Sequence, residues 1–133
     1  MLPGQRPLSG QQVLIVDDET DSVERLAAIL RRRSGAQVQC AASLASARAW
    51  LDQGLMPTVI LLDHKLGDGI GTSLAHWVRS QPTMSVVKIV SFSAHPRDVI
   101  LKTCHDQALF DSILTKGDMT VEELLRQISA LLA

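Results

Sequence analysis

The stretch Val59-Ile60-Leu61-Leu62-Asp63, followed by His64-Lys65-Leu66-Gly67-Asp68-Gly69, decides how the rest of the chain is read. Four large apolar residues run straight into a carboxylate, with Pro57 before them and Gly67 after. A continuous apolar run of this length reads as a strand covered on both faces. Burying a lone charge in a core is costly, so Asp63 belongs at the strand's C-terminal end, where the chain emerges. In open parallel α/β sheets that edge is where ligands bind. Asp63 is therefore the first candidate for a reactive carboxylate.

Working outward, Gln12 to Val16 repeats the pattern, with Asp17 and Asp18 after the apolar run. A helix is predicted from about Thr20 to Arg33, because Val23, Leu26, Ala27 and Leu30 fall on one face. Gly35 supplies its stop. Val38 to Ala41 reads as a short strand, and Ser43 as the N-cap of a helix to about Gln53. Beyond Asp63, a Gly-rich turn over Gly67 to Gly71 leads to a helix from about Thr72 to Ser80, broken by Pro82. Val86 to Phe92 is a further strand ending at Ser93. Pro96 opens a helix to about Gln107. Ser112 to Leu114 is a strand ending at Lys116, and Thr120 to Glu123 is a capping box that starts the last helix. Strands alternating with helices in this way predict βαβ units, right-handed crossovers and a parallel sheet covered on both sides.

Composition narrows the function classes. At 133 residues the chain suits one domain, with residues 1–11 as a leader or linker and 12–133 as the folded unit. A net charge of -1 gives no support to general polyanion binding, and aromatics are too scarce for a base-stacking surface. Cys40 and Cys104 lie far apart without metal-ligand spacing and read as reduced thiols. No apolar run approaches the roughly 18–20 residues of a membrane span. The N-terminus lacks a signal-peptide core. A cytoplasmic protein is expected.

The strand ends gather a chemical set: Asp17 and Asp18 after the first, Asp63 after the third, Ser93 after the fourth and Lys116 after the fifth. Crowded carboxylates repel and need a cation or a raised pKa. Hard oxygen donors suit Mg²⁺, which keeps water and phosphate oxygens as its other ligands. A lysine gives a point charge for a phosphoryl group, a serine hydroxyl can donate to one, and carboxylates form acyl phosphates.

These residues carry a resemblance. With V-L-I-V-D-D-E at the first strand, L-L-D-x-x-L-x-D-G at the third, S-A after the fourth and K-G after the fifth, the chain resembles the receiver domain of two-component response regulators. The likeness covers about Gln12 to Ala133. It implies a flavodoxin-like (βα)5 three-layer sandwich, its parallel sheet in the order 2-1-3-4-5. It also implies a phosphorelay signalling domain, not an enzyme beyond its own phosphorylation and dephosphorylation. Asp63 would accept a phosphoryl group from a phosphohistidine on a histidine kinase or histidine phosphotransfer domain, with Mg²⁺ as cofactor. Asp18 and Asp63 would bind the ion through their side chains, Asp17 through water, and Lys65 through its backbone carbonyl. Ser93 and Lys116 would hold the phosphoryl oxygens. The face of the last two helices and the fifth strand would address an output protein or domain, with no direct nucleic-acid contact and no membrane insertion. Two other readings use the same residues: a degenerate receiver serving as a binding scaffold, and a phosphatase with an aspartyl nucleophile.

The chain also departs from the family pattern. Ile113 stands where an aromatic usually reports phosphorylation, three residues before Lys116. Gly67 and Gly117 replace usual prolines. Lys65 and His95 are expected to flank the mouth of the site, where they could set the lifetime of the acyl phosphate. His64 reads as a loop residue. The P-L-S-G-Q-Q lead-in resembles the joint between a hybrid histidine kinase and its receiver.

Overall fold

The computed structural model describes residues 7–103 and 109–133. Along the chain run β1 (Gln12–Val16), α1 (Thr20–Ser34), β2 (Gln37–Ala41), α2 (Leu44–Asp52), β3 (Val59–Leu62), β4 (Lys65–Leu66), β5 (Gly69–Ile70), α3 (Gly71–Arg79), β6 (Lys88–Ser93), α4 (Arg97–Thr103), β7 (Ser112–Thr115) and α5 (Val121–Leu132). The five longer strands form one parallel sheet in the order β2-β1-β3-β6-β7. Leaving out β4 and β5, which pair only with each other, this is the predicted order 2-1-3-4-5. The fold is the flavodoxin-like α/β sandwich.

Alternation along the strands builds two cores. Leu14, Val16, Ile60, Leu62 and Ile89 face α2, α3 and α4, and meet Ala47, Leu51, Leu74, Val78 and Ile100. Val13, Ile15, Val59, Leu61 and Val90 face α1 and α5, and meet Val23, Ala27, Leu30, Leu124 and Ile128. All four residues of β3 are buried, as a central strand covered on both faces requires. Before β1, Leu8 is fully buried in the second core, and its N–H donates to the Ser34 carbonyl at 2.8 Å.

Helix ends follow the sequence chemistry. At α2 the Ser43 hydroxyl accepts from the Ser46 N–H, and the Ser46 hydroxyl accepts from the Ser43 N–H. At α5 the Thr120 hydroxyl accepts from the Glu123 N–H at 3.2 Å. Gly35 ends α1 at φ +75°, a left-handed geometry that glycine adopts without cost.

Two features differ from the sequence reading, and the end of one helix lies outside the described residues. The strand expected from Val86 begins at Lys88, because a 3-10 turn over Pro82–Met84 sets Val86 outside the sheet, 80% exposed. The ribbon β4–β5 was not foreseen, since two-residue strands leave no periodicity to read. The helix expected to reach Gln107 is described as far as Thr103; residues 104–108, with Cys104, lie outside the described residues. Cys40 is a free thiol.

One polar clamp holds the far end of the sheet. The Arg79 guanidinium at the end of α3 donates to the Val87 carbonyl (2.7 Å), the Leu109 carbonyl (3.3 Å) and the Asp111 carboxylate (2.6 Å). Asp111 also accepts from the Ile89 N–H at 2.7 Å. One carboxylate thus ties α3, the start of β6 and the approach to β7. Asp111→Ala removes it and leaves both donors short of a partner, so a loss of about 2 kcal/mol is expected. Urea denaturation checks this; a midpoint unchanged from wild type would contradict it.

Candidate functional site

Strand register assembles the site. Val16 pairs with Leu62, so the next residues, Asp17 and Asp63, emerge side by side at the switch point between β1 and β3. The Asp63 N–H donates to the Val16 carbonyl at 2.9 Å and fixes that alignment. Ser93 pairs with Thr115, and the Lys116 N–H donates to the Ser93 carbonyl at 2.8 Å. Ser93 and Lys116 therefore leave the sheet at the same edge. One ligand atom from each of Asp17, Asp18 and Asp63 lies within 4.8 Å of the others. The set is hard, anionic and open on the Asp18 side, where that residue is exposed. This donor set fits Mg²⁺, which wants carboxylate oxygens and several waters.

Charges at this edge are only partly balanced. The Lys116 ammonium forms an ion pair with Asp17 and stands 4.0 Å from Asp63 Oδ2. Asp17, itself buried, also accepts from the Glu19 N–H at 2.9 Å through Oδ1. Asp63 Oδ1 accepts from the His64 N–H at 2.8 Å. Burial pushes the Asp63 carboxyl up to about 6; Lys116 and the His64 N–H pull it down, while Asp17 and Asp18 push it further up. A cleft of about 220 Å³ runs from Asp17 and Lys116 along α1 to Leu26 and Phe92.

The other sequence-selected residues fall as follows. Ser93 is buried, and its Oγ accepts from the His95 N–H at 3.0 Å, which leaves its own proton free to donate elsewhere. Lys65 is exposed, in the ribbon just past the acids. His95 is half-buried, and its ring turns toward His64, with centroids 4.9 Å apart and planes at 67°. His64, read as a loop residue, is buried at 6% exposure. Burial first, then the neighbouring His95 and Lys65, hold its imidazole below the usual range. Ile113 is partly buried against the core on the α2–α3–α4 side.

Two supporting residues escaped the sequence reading. Asp68 reaches across to α2 and accepts from the Leu44 N–H (2.9 Å) and the Ala45 N–H (3.0 Å), which holds its carboxyl below the ordinary range. It anchors the ribbon after Asp63 to a helix whose first N–H groups need partners. Gly71 has no room for a side chain: a Cβ there would run into the Asp63 carbonyl oxygen and sit 3.0 Å from Leu62 Cγ. Its N–H donates to the His64 carbonyl at 2.7 Å.

Compared with models of known families, residues 13–129 match the response regulator receiver domain. The chain belongs to that family. Receiver domains are signalling domains of two-component systems, generally paired with histidine kinases and output domains. Among solved structures, the receiver domain of a Pseudomonas aeruginosa PAO1 sensor histidine kinase, with a magnesium ion in its active-site cleft, is 25% identical. It aligns with a TM-score of 0.80, over 93% of this chain and 98% of that one. A protein from Chloroflexus aurantiacus described as a response regulator is 28% identical at TM-score 0.79, over 92% and 97% of the two chains. A two-component response regulator from Clostridium difficile, 22% identical at TM-score 0.79 over 92% and 95%, shares the fold. No curated protein matches. Among the described residues no helix is long and apolar enough to cross a membrane.

Two predictions come from this receiver's geometry. The folded-state pKa of Asp63 lies above its ordinary 3.8, so ionised Asp63 destabilises the metal-free fold. That penalty is absent below the ordinary pKa and complete once pH has risen past about 6. With chelator present, Asp63→Asn is expected to raise the melting temperature at neutral pH, the gain shrinking as pH falls through that window. Equal melting temperatures at neutral pH would contradict it. Gly71→Ala is expected to cost about 1–3 kcal/mol by overpacking against the Asp63 carbonyl, read by denaturant midpoint. A neutral substitution would mean that the contact is not tight.

Proposed function

We propose that this receiver accepts a phosphoryl group on Asp63 from a phosphohistidine of a histidine kinase or histidine phosphotransfer domain in the cytoplasm. The observation that carries this is the convergence of Asp17, Asp18, Asp63 and Lys116 on one strand edge, with Lys116 paired to Asp17 and standing 4.0 Å from Asp63 Oδ2. A carboxylate oxygen of Asp63 attacks phosphorus, the P–N bond to the donor imidazole breaks, and the imidazole leaves with the bonding pair. Asp18 and Asp63 would hold Mg²⁺ directly, Asp17 through water and Lys65 through its carbonyl. Bound there, the ion supplies neutralisation of charge on the transferring group.

The chain's own groups do the rest. Lys116 is close enough to Asp63 to exchange its partner, leaving Asp17 for a phosphoryl oxygen once the cation offsets the acids. The Ser93 hydroxyl has an uncommitted proton and donates it to another phosphoryl oxygen. Pulling Ser93 inward shifts the loop into α4, and the face of α4, β7 and α5 then addresses an output protein or domain. The cleft beside Lys116, walled by Val23, Leu26 and Phe92, offers apolar surface next to the acids for a phosphodonor partner.

Both other readings of these residues fare less well. A phosphatase with Asp17 as nucleophile would need a carboxylate whose oxygens are available, and here one accepts from Glu19 and the other from Lys116. A scaffold without chemistry would not need Lys116 and three acids in one cluster. The test is the rate of phosphorylation by a small phosphodonor with Mg²⁺. Lys116→Ala and Ser93→Ala are each expected to lower it about 10²-fold, the scale for losing a donor to a developing oxyanion. Full rates in both variants would overturn the assignment, as would turnover of a phosphomonoester that depends on Asp17.

A further inference from the structure

The two histidines beside the site are unused by the chemistry above. His64 directly follows the acceptor and is pinned at both ends of its peptide: its N–H donates to Asp63 Oδ1 and its carbonyl accepts from Gly71. Its buried ring meets the edge of His95 at 4.9 Å. His95 hangs from Ser93 by its N–H on Oγ, and its Nδ1 is enclosed with no hydrogen-bond partner among the described residues. Pro96 follows, and its carbonyl accepts from the Val99 and Ile100 N–H groups in the first turn of α4. One short path therefore joins Asp63, His64, His95 and α4. Across the same sheet edge Ile113 has no hydroxyl with which to register a change.

We infer that the His64–His95 ring contact is the element that transmits the state of Asp63 to α4 in this chain, doing so in place of an aromatic at position 113. This rests on the phosphoacceptor reading. When the Ser93 hydroxyl turns to a phosphoryl oxygen, its bond from the His95 N–H is weakened, and the segment His95–Pro96 moves with it. His64 stays fixed by its two backbone bonds. The rings then slide apart or re-seat, and the unpartnered Nδ1 favours the new position by reaching a partner or water. A buried nitrogen without a partner is a cost of the resting arrangement, so the contact is poised between two arrangements instead of being a fixed prop. His64 and His95 are positioning residues here; neither touches the transferring group.

The test uses beryllofluoride with Mg²⁺, a non-covalent stand-in for the phosphoryl group, on the full chain. Fluorine resonances of the bound group report the acceptor site, and backbone amide shifts of Arg97 to Ile100 report α4. Wild type is expected to bind and to shift those amides. His95→Ala and His64→Leu are expected to bind within about threefold of wild-type affinity while the α4 shifts fall by roughly half or more. His95→Phe, which keeps a ring edge against His64 but has no Nδ1, is expected to recover only part of the shifts lost in His95→Ala, and a dispersed spectrum of each variant establishes that it is folded. Undiminished α4 shifts in both His95→Ala and His64→Leu would overturn the inference while leaving the phosphoacceptor reading intact. Absence of any bound fluorine signal in wild type would overturn both.

Discussion

Mutual repulsion among three carboxylates at one sheet edge is the constraint on which the rest of this receiver depends. Parallel pairing of β1 with β3 in the register Val16–Leu62 forces Asp17 and Asp63 out side by side, and Asp18 follows within reach. Nothing in the packing requires acids there. They are tolerated because the Lys116 ammonium sits among them and because Asp18 faces water. One lysine cannot balance three negative charges, and burial lifts Asp63 instead. The site is thus left wanting positive charge, the condition under which a divalent cation and then a phosphoryl group become favourable ligands.

The scaffold is arranged so that this imbalance does not disperse. The Asp63 backbone is held by Val16 on one side, and Gly71 lies against its carbonyl on the other. The ribbon after it is tied to α2 through Asp68, whose carboxylate completes that helix's N-terminus. These contacts keep Asp63 where its neighbours can act on it. By contrast, Ser93 and His95 are joined by a single hydrogen bond at a loop, and the ring contact with His64 leaves one nitrogen unpartnered. Among the described residues, more contacts hold the Asp63 side of the edge than the Ser93–His95 side.

Much of this was legible in the residues, for definable reasons. Continuous apolar runs ending in acids mark buried strands and their exit points, so β1 and β3 and the set Asp17, Asp18, Asp63, Ser93 and Lys116 could be named before any geometry. The structure brings the three acids into one cluster, pairs Lys116 with Asp17 and places Ser93 at the same edge. What escaped depends on tertiary contact. Asp68 looked like a turn residue because its partners, Leu44 and Ala45, lie more than twenty positions earlier. Gly71 read as the last residue of a Gly-rich turn, because the carbonyl that excludes a side chain there belongs to Asp63 and leaves no local sign. His64 read only as a loop residue; its burial against His95 depends on a contact that has no local signature.

The most direct measurement on the central claim is the intact mass of the wild type and of Asp63→Asn after incubation with a small phosphodonor, with and without Mg²⁺. The account predicts one added phosphoryl group on the wild type, dependent on Mg²⁺ and absent from Asp63→Asn. An adduct that persists in Asp63→Asn, or that forms equally well in chelator, would contradict it.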